Sequence, residues 1–344
     1  MPTNDHDGTD APPPHAQLIQ MATAYWASRL LYVATRLGIA DLLADGAKTA
    51  ESLAESTRTH PRSLYRVMRT LASLGLMTES AGHRFALTPL GAALVSGAPG
   101  AARATILTLG GDWAWHGFEN LQYSVETGKS GVEKALGEPI FDWLGKHPED
   151  ASLFTQTMIG FHGAEGEAIA EAYDFSARRT IVDVGGASGH LLTTLLGKYP
   201  GPRGILFDLP HVVREAPALL QARGLADRVT IQSGSFFETV PTGGDTYVLS
   251  HVIHDWSEEQ CLTILGHCRK AMGTDARLLI VEMVLPEGDG PHPGKMLDMM
   301  MLVGPGGQER TEPEYGALLG RAGFRLTRVV PTSTAASVVE AVPS

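Results

Sequence analysis

A chain of 344 residues, 43% hydrophobic and 19% charged, is long enough for two domains and has no apolar run that would span a bilayer. Its formal net charge of −11 favours solubility and works against non-specific attraction to nucleic acid. Residues 1–15 are rich in Pro, Asp and Thr and lack both a basic start and an apolar core. They read as a disordered tail and not a signal peptide, so a cytoplasmic location is expected.

Residues 16–165 read as mainly helical. Leu18 to Leu43 is a helical stretch whose Met21, Tyr25, Trp26, Leu30, Val33 and Leu37 spread apolar groups around much of the circumference, so it must be covered. Ala50 to Ser56 forms a second helix. Thr59-His-Pro61 then opens a third, with Leu64, Val67, Met68, Leu71 and Leu74 at helical spacing. Gly75 stops it before a strand at Arg84 to Thr88. This is a winged-helix pattern. Arg62, Arg66 and Arg69 make a stripe, and residues 47–91 carry six Lys/Arg against three Glu, which admits a ligand-responsive DNA-binding regulator. The plainer reading is a solvated face.

Residues from about Asp112 to His162 read as helices bridging the two domains, with Trp113, Trp115, Phe118, Phe141, Trp143, Phe154, Met158, Phe161 and His162 among them. Most of these serve an aromatic core, yet such a segment beside a cleft also suits a flat, ring-containing ligand.

Residues 166–344 alternate strands with helices: Thr180 to Val184, Gly204 to Phe207, Val229 to Gln232, Thr246 to Leu249 and Leu278 to Val281. The alternation implies a parallel sheet, whose right-handed crossovers bring the strand C-termini to one edge. There the first strand breaks into a glycine-rich turn and a helix from about His190 to Lys198. Such a turn lets backbone approach a ligand and presents unpaired N–H groups to it. Asp208 ends the next strand, where a carboxylate can accept both hydroxyls of a ribose. Ala187 replaces the middle glycine of a dinucleotide fingerprint and His190 its third small residue, so a nucleoside cofactor without a pyrophosphate fits better.

Cys261 and Cys268 lie on one helix without partners at structural zinc spacing, so no metal is expected and both read as reduced, partly buried thiols.

The chain resembles the class I S-adenosylmethionine-dependent O-methyltransferases of the plant caffeate and actinobacterial polyketide type, over about residues 16–342. Six motifs stand in the family's order: Asp183-Val-Gly-Gly-Ala-Ser-Gly189, Phe207-Asp-Leu-Pro210, Gly234-Ser-Phe-Phe237, Ser250-His-Val-Ile-His-Asp-Trp256, Val281-Glu-Met283 and Gly306-Gly-Gln-Glu-Arg-Thr311. The resemblance implies an α/β architecture: a Rossmann-like, mostly parallel seven-stranded sheet with a final antiparallel strand near Ala336 to Ala341, preceded by a winged-helix dimerisation domain. It also implies a homodimer, S-adenosylmethionine as cofactor and an aromatic small-molecule acceptor in specialised metabolism, with neither nucleic acid nor membrane as partner.

By the same resemblance, Gly185 and Gly186 face the methionine part of the cofactor and Asp208 and Leu209 its ribose. Ser235 and Phe236 meet the adenine, and Ser250 and His251 complete the cofactor edge. His254 is the expected general base, because a phenol or enol must lose its proton to become a strong nucleophile and an imidazole can take it near neutral pH. Glu282 and Glu309 are expected to orient it, one carboxylate fixing the tautomer of the ring. Met158, Phe161, His162, Asp255 and Met300 are the expected acceptor-binding residues, with Met296, Met299 and Leu302 beside Met300 in an adaptable apolar patch. Three positions depart from the family pattern. Ala187 replaces a glycine, Ser235 an aspartate and Ser250 a lysine of plant relatives. Ser235 forgoes a charge-assisted contact of roughly 1.5 to 3 kcal/mol. N-methylation, decarboxylation or hydroxylation on the same scaffold are alternative chemistries, and His254 weighs against the last two.

Overall fold

The structure, a computed structural model, describes residues 12–344. The chain divides into two compact units, one running to Asp112 and including Glu149–Gly160, the other comprising Trp113–Pro148 and Phe161–Ser344.

In the first unit the expected helix over residues 18–43 is three helices, Pro14–Thr23, Tyr25–Arg36 and Ile39–Leu43. The second break falls at Gly38, whose φ of +67° is open to glycine without a steric penalty. Pro14 starts a helix, so only residues 1–11 of the expected tail lie outside the described residues. Strand β1 (Lys48–Thr49) leads to helix Ala50–Thr57, whose first turn is capped by Thr49 accepting from the Ser52 N–H at 3.2 Å. Helix Pro61–Ser73 follows, then the hairpin of β2 (Met77–Ser80) and β3 (Arg84–Leu87), with β1 added on the far side of β3. This is the winged-helix arrangement. Leu53, Leu64, Met68, Leu71 and Phe85 form its buried core, while Arg62, Arg66 and Arg69 are exposed along one helix. Leu18, Ile19, Met21, Trp26 and Val33 are also exposed, an apolar face that an isolated subunit leaves in water.

The second unit is built on a seven-stranded sheet. Its parallel strands are β4 (Thr180–Val184), β5 (Arg203–Asp208), β6 (Val229–Ser233), β7 (Thr246–Ser250) and β8 (Arg277–Glu282). A short parallel pair, β9 (Val284–Leu285) and β10 (Arg310–Thr311), lies outside it. Strands β11 (Phe324–Pro331) and β12 (Ser337–Pro343) close one side antiparallel, giving the order β11-β12-β8-β7-β4-β5-β6. The order reverses between β4 and β7, which opens a crevice at their C-terminal ends. Apolar clusters fill both faces of the sheet, one around Tyr247, Ile264, Leu278 and Phe324, the other around Ile169, Leu192, Leu206 and Val281. Those two faces fix the strands so that their ends carry the polar residues.

Candidate active site

The turn after β4 is held from below. The Gly185 N–H donates to the Phe207 carbonyl at 2.8 Å, and the Asp208 carboxylate accepts from the N–H groups of Ala187 at 2.9 Å and Leu209 at 2.7 Å. Gly185 has φ +74°, and a Cβ built there would meet Val252 Cγ2 at 2.8 Å and the Phe236 ring at 3.4 Å. The absence of that Cβ leaves backbone bare beside an aromatic ring, a cradle of the kind a nucleoside needs. Ala187 takes a left-handed φ of +51°, a conformation unusual for a side chain with a Cβ. Ser235 is turned to its own loop, its Oγ accepting from the Phe237 N–H at 3.2 Å. Phe236 packs edge to face on Phe237, which does the same on Trp256. Gly185, Gly186, Asp208, Leu209, Ser235, Phe236 and Ser250 thus all stand at the carboxyl ends of β4 to β7, and their chemistry fits S-adenosylmethionine.

Asp183, near the end of β4, opens the first of the six motifs, though the sequence reading gave it no role of its own. It is buried to 1% exposure beneath Gly186. Burial, reinforced by the neighbouring Asp208 carboxylate, pushes its own carboxyl up to about 7. Burial also raises Asp208.

His254 lies in a 3-10 turn, Ile253–Asp255, just past β7. Its Nδ1 meets Glu309 Oε1 at 2.6 Å, and its backbone N–H donates to Glu282 Oε1 at 3.0 Å. The two carboxylates therefore divide the work: Glu309 orients the ring, and Glu282 holds the backbone under it. Tyr315 donates its hydroxyl to the other oxygen of Glu282. Arg310, 1% exposed, donates to the carbonyls of Ile253 at 3.3 Å and Gln308 at 3.2 Å. The Glu309 N–H is anchored in turn by Asp298 at 2.9 Å. Asp255 Oδ1 stands 3.7 Å from the remaining ring nitrogen, Nε2. Burial alone would lower the proton affinity of His254, but Asp255, Glu309 and Glu282 outweigh it and carry the ring up to about 10. The carboxylates thus favour the protonated ring, where an unperturbed one would be poised near 6.5. Tyr315, Arg310 and Asp298 were not singled out in the sequence. Arg310 and its neighbours fall inside the last of the six motifs, the only signal that pointed to them.

His251 and His162 form a second cluster. His251 Nε2 is 2.7 Å and His162 Nδ1 3.0 Å from the same oxygen of Glu165, and the two rings stack with centroids 3.7 Å apart. Among the expected acceptor-binding residues, His162 and Asp255 thus share one unit with Phe161, which is exposed, and Met300, which is half-buried on helix Pro293–Val303. Met158 belongs to the first unit. Of the apolar patch, Met296 is exposed and Met299 and Leu302 are half-buried. Cys261 and Cys268 are free and buried, and burial raises both thiols, to about 11 and about 12.

An open sheet that gathers its polar residues at the strand C-termini defines an α/β enzyme of the nucleotide-binding class. Known proteins narrow the class. Residues 118–325 match the O-methyltransferase domain and residues 19–97 the O-methyltransferase dimerisation domain. The chain is 43% identical over 339 residues to the phenazine O-methyltransferase of Lysobacter antibioticus, covering 98% of this chain and 99% of that one. It is 33% identical to the 8-amino-8-demethylriboflavin N,N-dimethyltransferase of Streptomyces davaonensis, covering 90% of each. It superposes with a TM-score of 0.84, at 30% identity and over 92% of this chain and 96% of the other, on an O-methyltransferase from neocarzinostatin biosynthesis. That enzyme was solved with S-adenosylmethionine and 2-hydroxy-5-methyl naphthoic acid. The chain belongs to this family of S-adenosylmethionine-dependent methyltransferases.

Proposed function

We propose that this methyltransferase methylates a phenolic or enolic hydroxyl of an aromatic small molecule in specialised metabolism, with His254 as general base. The observation that supports it best is the contact of His254 Nδ1 with Glu309, which leaves Nε2 as the nitrogen able to take a proton. S-Adenosylmethionine supplies the electrophilic methyl group when bound. Gly185, Gly186, Asp208, Leu209, Ser235, Phe236, Ser250 and His251 hold it, and Phe161, His162, Asp255 and Met300 receive the acceptor. His254 and Glu309 manage the acceptor's proton. A phenol meeting neutral His254, or a phenolate meeting its cation, reaches the same ion pair, and the surrounding carboxylates stabilise the imidazolium in either case. The exposed apolar face of helices Pro14–Thr23 and Tyr25–Arg36, within the dimerisation domain, is covered by a second copy in a homodimer.

N-methylation is the second reading, favoured by the likeness to an N,N-dimethyltransferase. An amine attacks through a lone pair it already has and needs no base beforehand. Both readings are separated by titration calorimetry with S-adenosylhomocysteine followed by turnover of His254→Ala. Cofactor binding kept with turnover on hydroxyl acceptors lost supports O-methylation with His254 as base. Turnover that survives the substitution removes His254 from that role.

A further inference from the structure

Among the described residues the Glu309 carboxylate has one hydrogen-bond partner, His254 Nδ1. Its other oxygen, Oε2, is buried and has none. The carboxylate therefore carries no second contact that could aim it at the imidazole, and its aim has to come from the backbone.

That backbone is gripped from both sides. In the peptide joining Gln308 to Glu309, the carbonyl accepts from Arg310 Nη1 at 3.2 Å and the N–H donates to Asp298 Oδ1 at 2.9 Å. The peptide joining Ile253 to His254 is held in the same way. Its carbonyl accepts from the same Nη1 at 3.3 Å, and its N–H donates to Glu282 Oε1 at 3.0 Å. A planar peptide fixed at both oxygen and nitrogen cannot tilt, so the direction in which the next side chain leaves it is set. One guanidinium nitrogen thus spans the two peptides that lead into His254 and Glu309, residues 55 apart in the chain.

Burying Arg310 is unfavourable unless its donors are used. It is 1% exposed, and besides the two carbonyls it reaches the Cys261 sulfur through Nη2 at 3.6 Å. The planar fork holds Nη1 and Nη2 in fixed directions, where a lysine would present a single swivelling ammonium.

Resting on the reading of His254 as base, we propose that Arg310 and Asp298 are positioning residues for methyl transfer. Arg310 sets the His254 and Glu309 peptides against each other, and Asp298 fixes the second of them. Both act through His254 and Glu309.

Histidine labelled with ¹³C and ¹⁵N reads the pair directly in the full chain with S-adenosylhomocysteine, His254→Gln identifying the resonance. The charged and titratable groups facing the ring are Asp255 on its own turn, Glu282, Glu309 and His251. Arg310→Lys keeps all of them and its own charge, yet the His254 midpoint falls by about one pH unit or more, a tenfold loss of proton affinity, as Glu309 loses its aim. Asp298→Ala does the same. Asp298→Asn, which retains an acceptor oxygen for the Glu309 N–H but not the charge, returns the midpoint to within about 0.3 unit of wild type. Turnover of 2-naphthol follows: Arg310→Lys and Asp298→Ala lose kcat by about tenfold to a hundredfold with KM kept within about twofold.

A midpoint unchanged in both Arg310→Lys and Asp298→Ala overturns the proposal. So does an Asp298→Asn protein as impaired as Asp298→Ala, which would make charge and not position the cause, and so does a loss confined to KM. An Arg310→Lys protein that fails to fold or to bind S-adenosylhomocysteine makes Arg310 structural and removes it, and the half-buried Asp298 then decides through its own two variants. Failure of the base reading shows separately, as turnover kept by His254→Ala, and the His254 midpoint is still read.

Discussion

His254 and Glu309, 55 residues apart in the chain, meet at 2.6 Å through Nδ1 and Oε1. With Asp255 and Glu282 close by, that contact raises the proton affinity of the imidazole and makes it a stronger base.

The pH dependence of turnover follows from that. The base form is the neutral ring, so raising its proton affinity to about 10 moves the rising limb upward. Turnover on a phenol climbs with pH through neutrality and levels only near 10, and His254→Gln lowers the plateau by roughly a hundredfold to ten-thousandfold. Glu309→Gln removes one of the charges that hold the proton, so its limb lies lower. Initial rates from pH 6 to 10 check this; a wild-type plateau already reached by pH 7 removes the elevated imidazole from the account.

Glu282 is expected to act on stability as much as on rate. It accepts from the His254 backbone and from the Tyr315 hydroxyl, all three groups buried. Tyr315→Phe leaves a buried carboxylate oxygen without its donor and costs roughly 1 to 3 kcal/mol. Urea denaturation of this variant beside wild type measures it, and a change under about 0.5 kcal/mol contradicts the role assigned to the pair.

Gly307 is fitted to the turn it supports. A Cβ there would stand 1.9 Å from the His254 carbonyl oxygen and 2.6 Å from the Asp255 carbonyl carbon, both backbone atoms that cannot step aside. Gly307→Ala displaces the His254 turn, so turnover falls by about a hundredfold or more while S-adenosylhomocysteine still binds. Retained turnover would mean that the turn yields without cost to the base.

Much of this geometry was legible in the chain, and what escaped has a common cause. Each of the strands β4 to β8 was found to within a residue at either end, because apolar β-branched runs punctuated by turns mark buried strands directly. The rule that such strands end on one edge then gathered the glycine turn, Asp208, Ser235 and Ser250 without coordinates. Strand β11 went unread, since Arg325, Thr327 and Arg328 interrupt any apolar run and its pairing with β12 is what makes it a strand. Glu165 and Tyr315 were equally hidden. Glu165 reaches His251, and Tyr315 reaches Glu282, from a helix far away in the chain, and nothing in a local spacing records such a contact. The winged helix read correctly in its two packed helices, whereas the entry helix broke at Gly38, a stop that the apolar pattern around it concealed.

Gly185 gives the sharpest test of the cofactor edge. Alanine there has to adopt φ +74° and place its methyl 2.8 Å from Val252 Cγ2. Gly185→Ala weakens S-adenosylhomocysteine binding by at least about tenfold, by filling the bare backbone and straining the turn. Calorimetry decides, and an unchanged affinity would move the cofactor away from this turn.

Asp183 carries a stability signature opposite to that of a paired carboxylate. Its proton is held more tightly in the folded chain, to about 7, than in the unfolded one, near 3.9. The folded state therefore binds more protons across that interval, and stability declines as pH rises through it. The contribution is complete below about pH 4 and is gone above about pH 7, a span worth at most about 4 kcal/mol. Other groups titrate over the same range, Asp208 raised like Asp183 and His251 lowered, so the wild-type curve alone does not isolate the effect. Asp183→Asn does, since an amide of the same shape cannot ionise. The difference in unfolding free energy between the two proteins, read from urea titrations at pH 5 and pH 8, should swing in favour of the variant at the higher pH. A difference that is the same at both would mean that Asp183 is ionised throughout, stabilised by groups around the glycine turn and not buried as an acid.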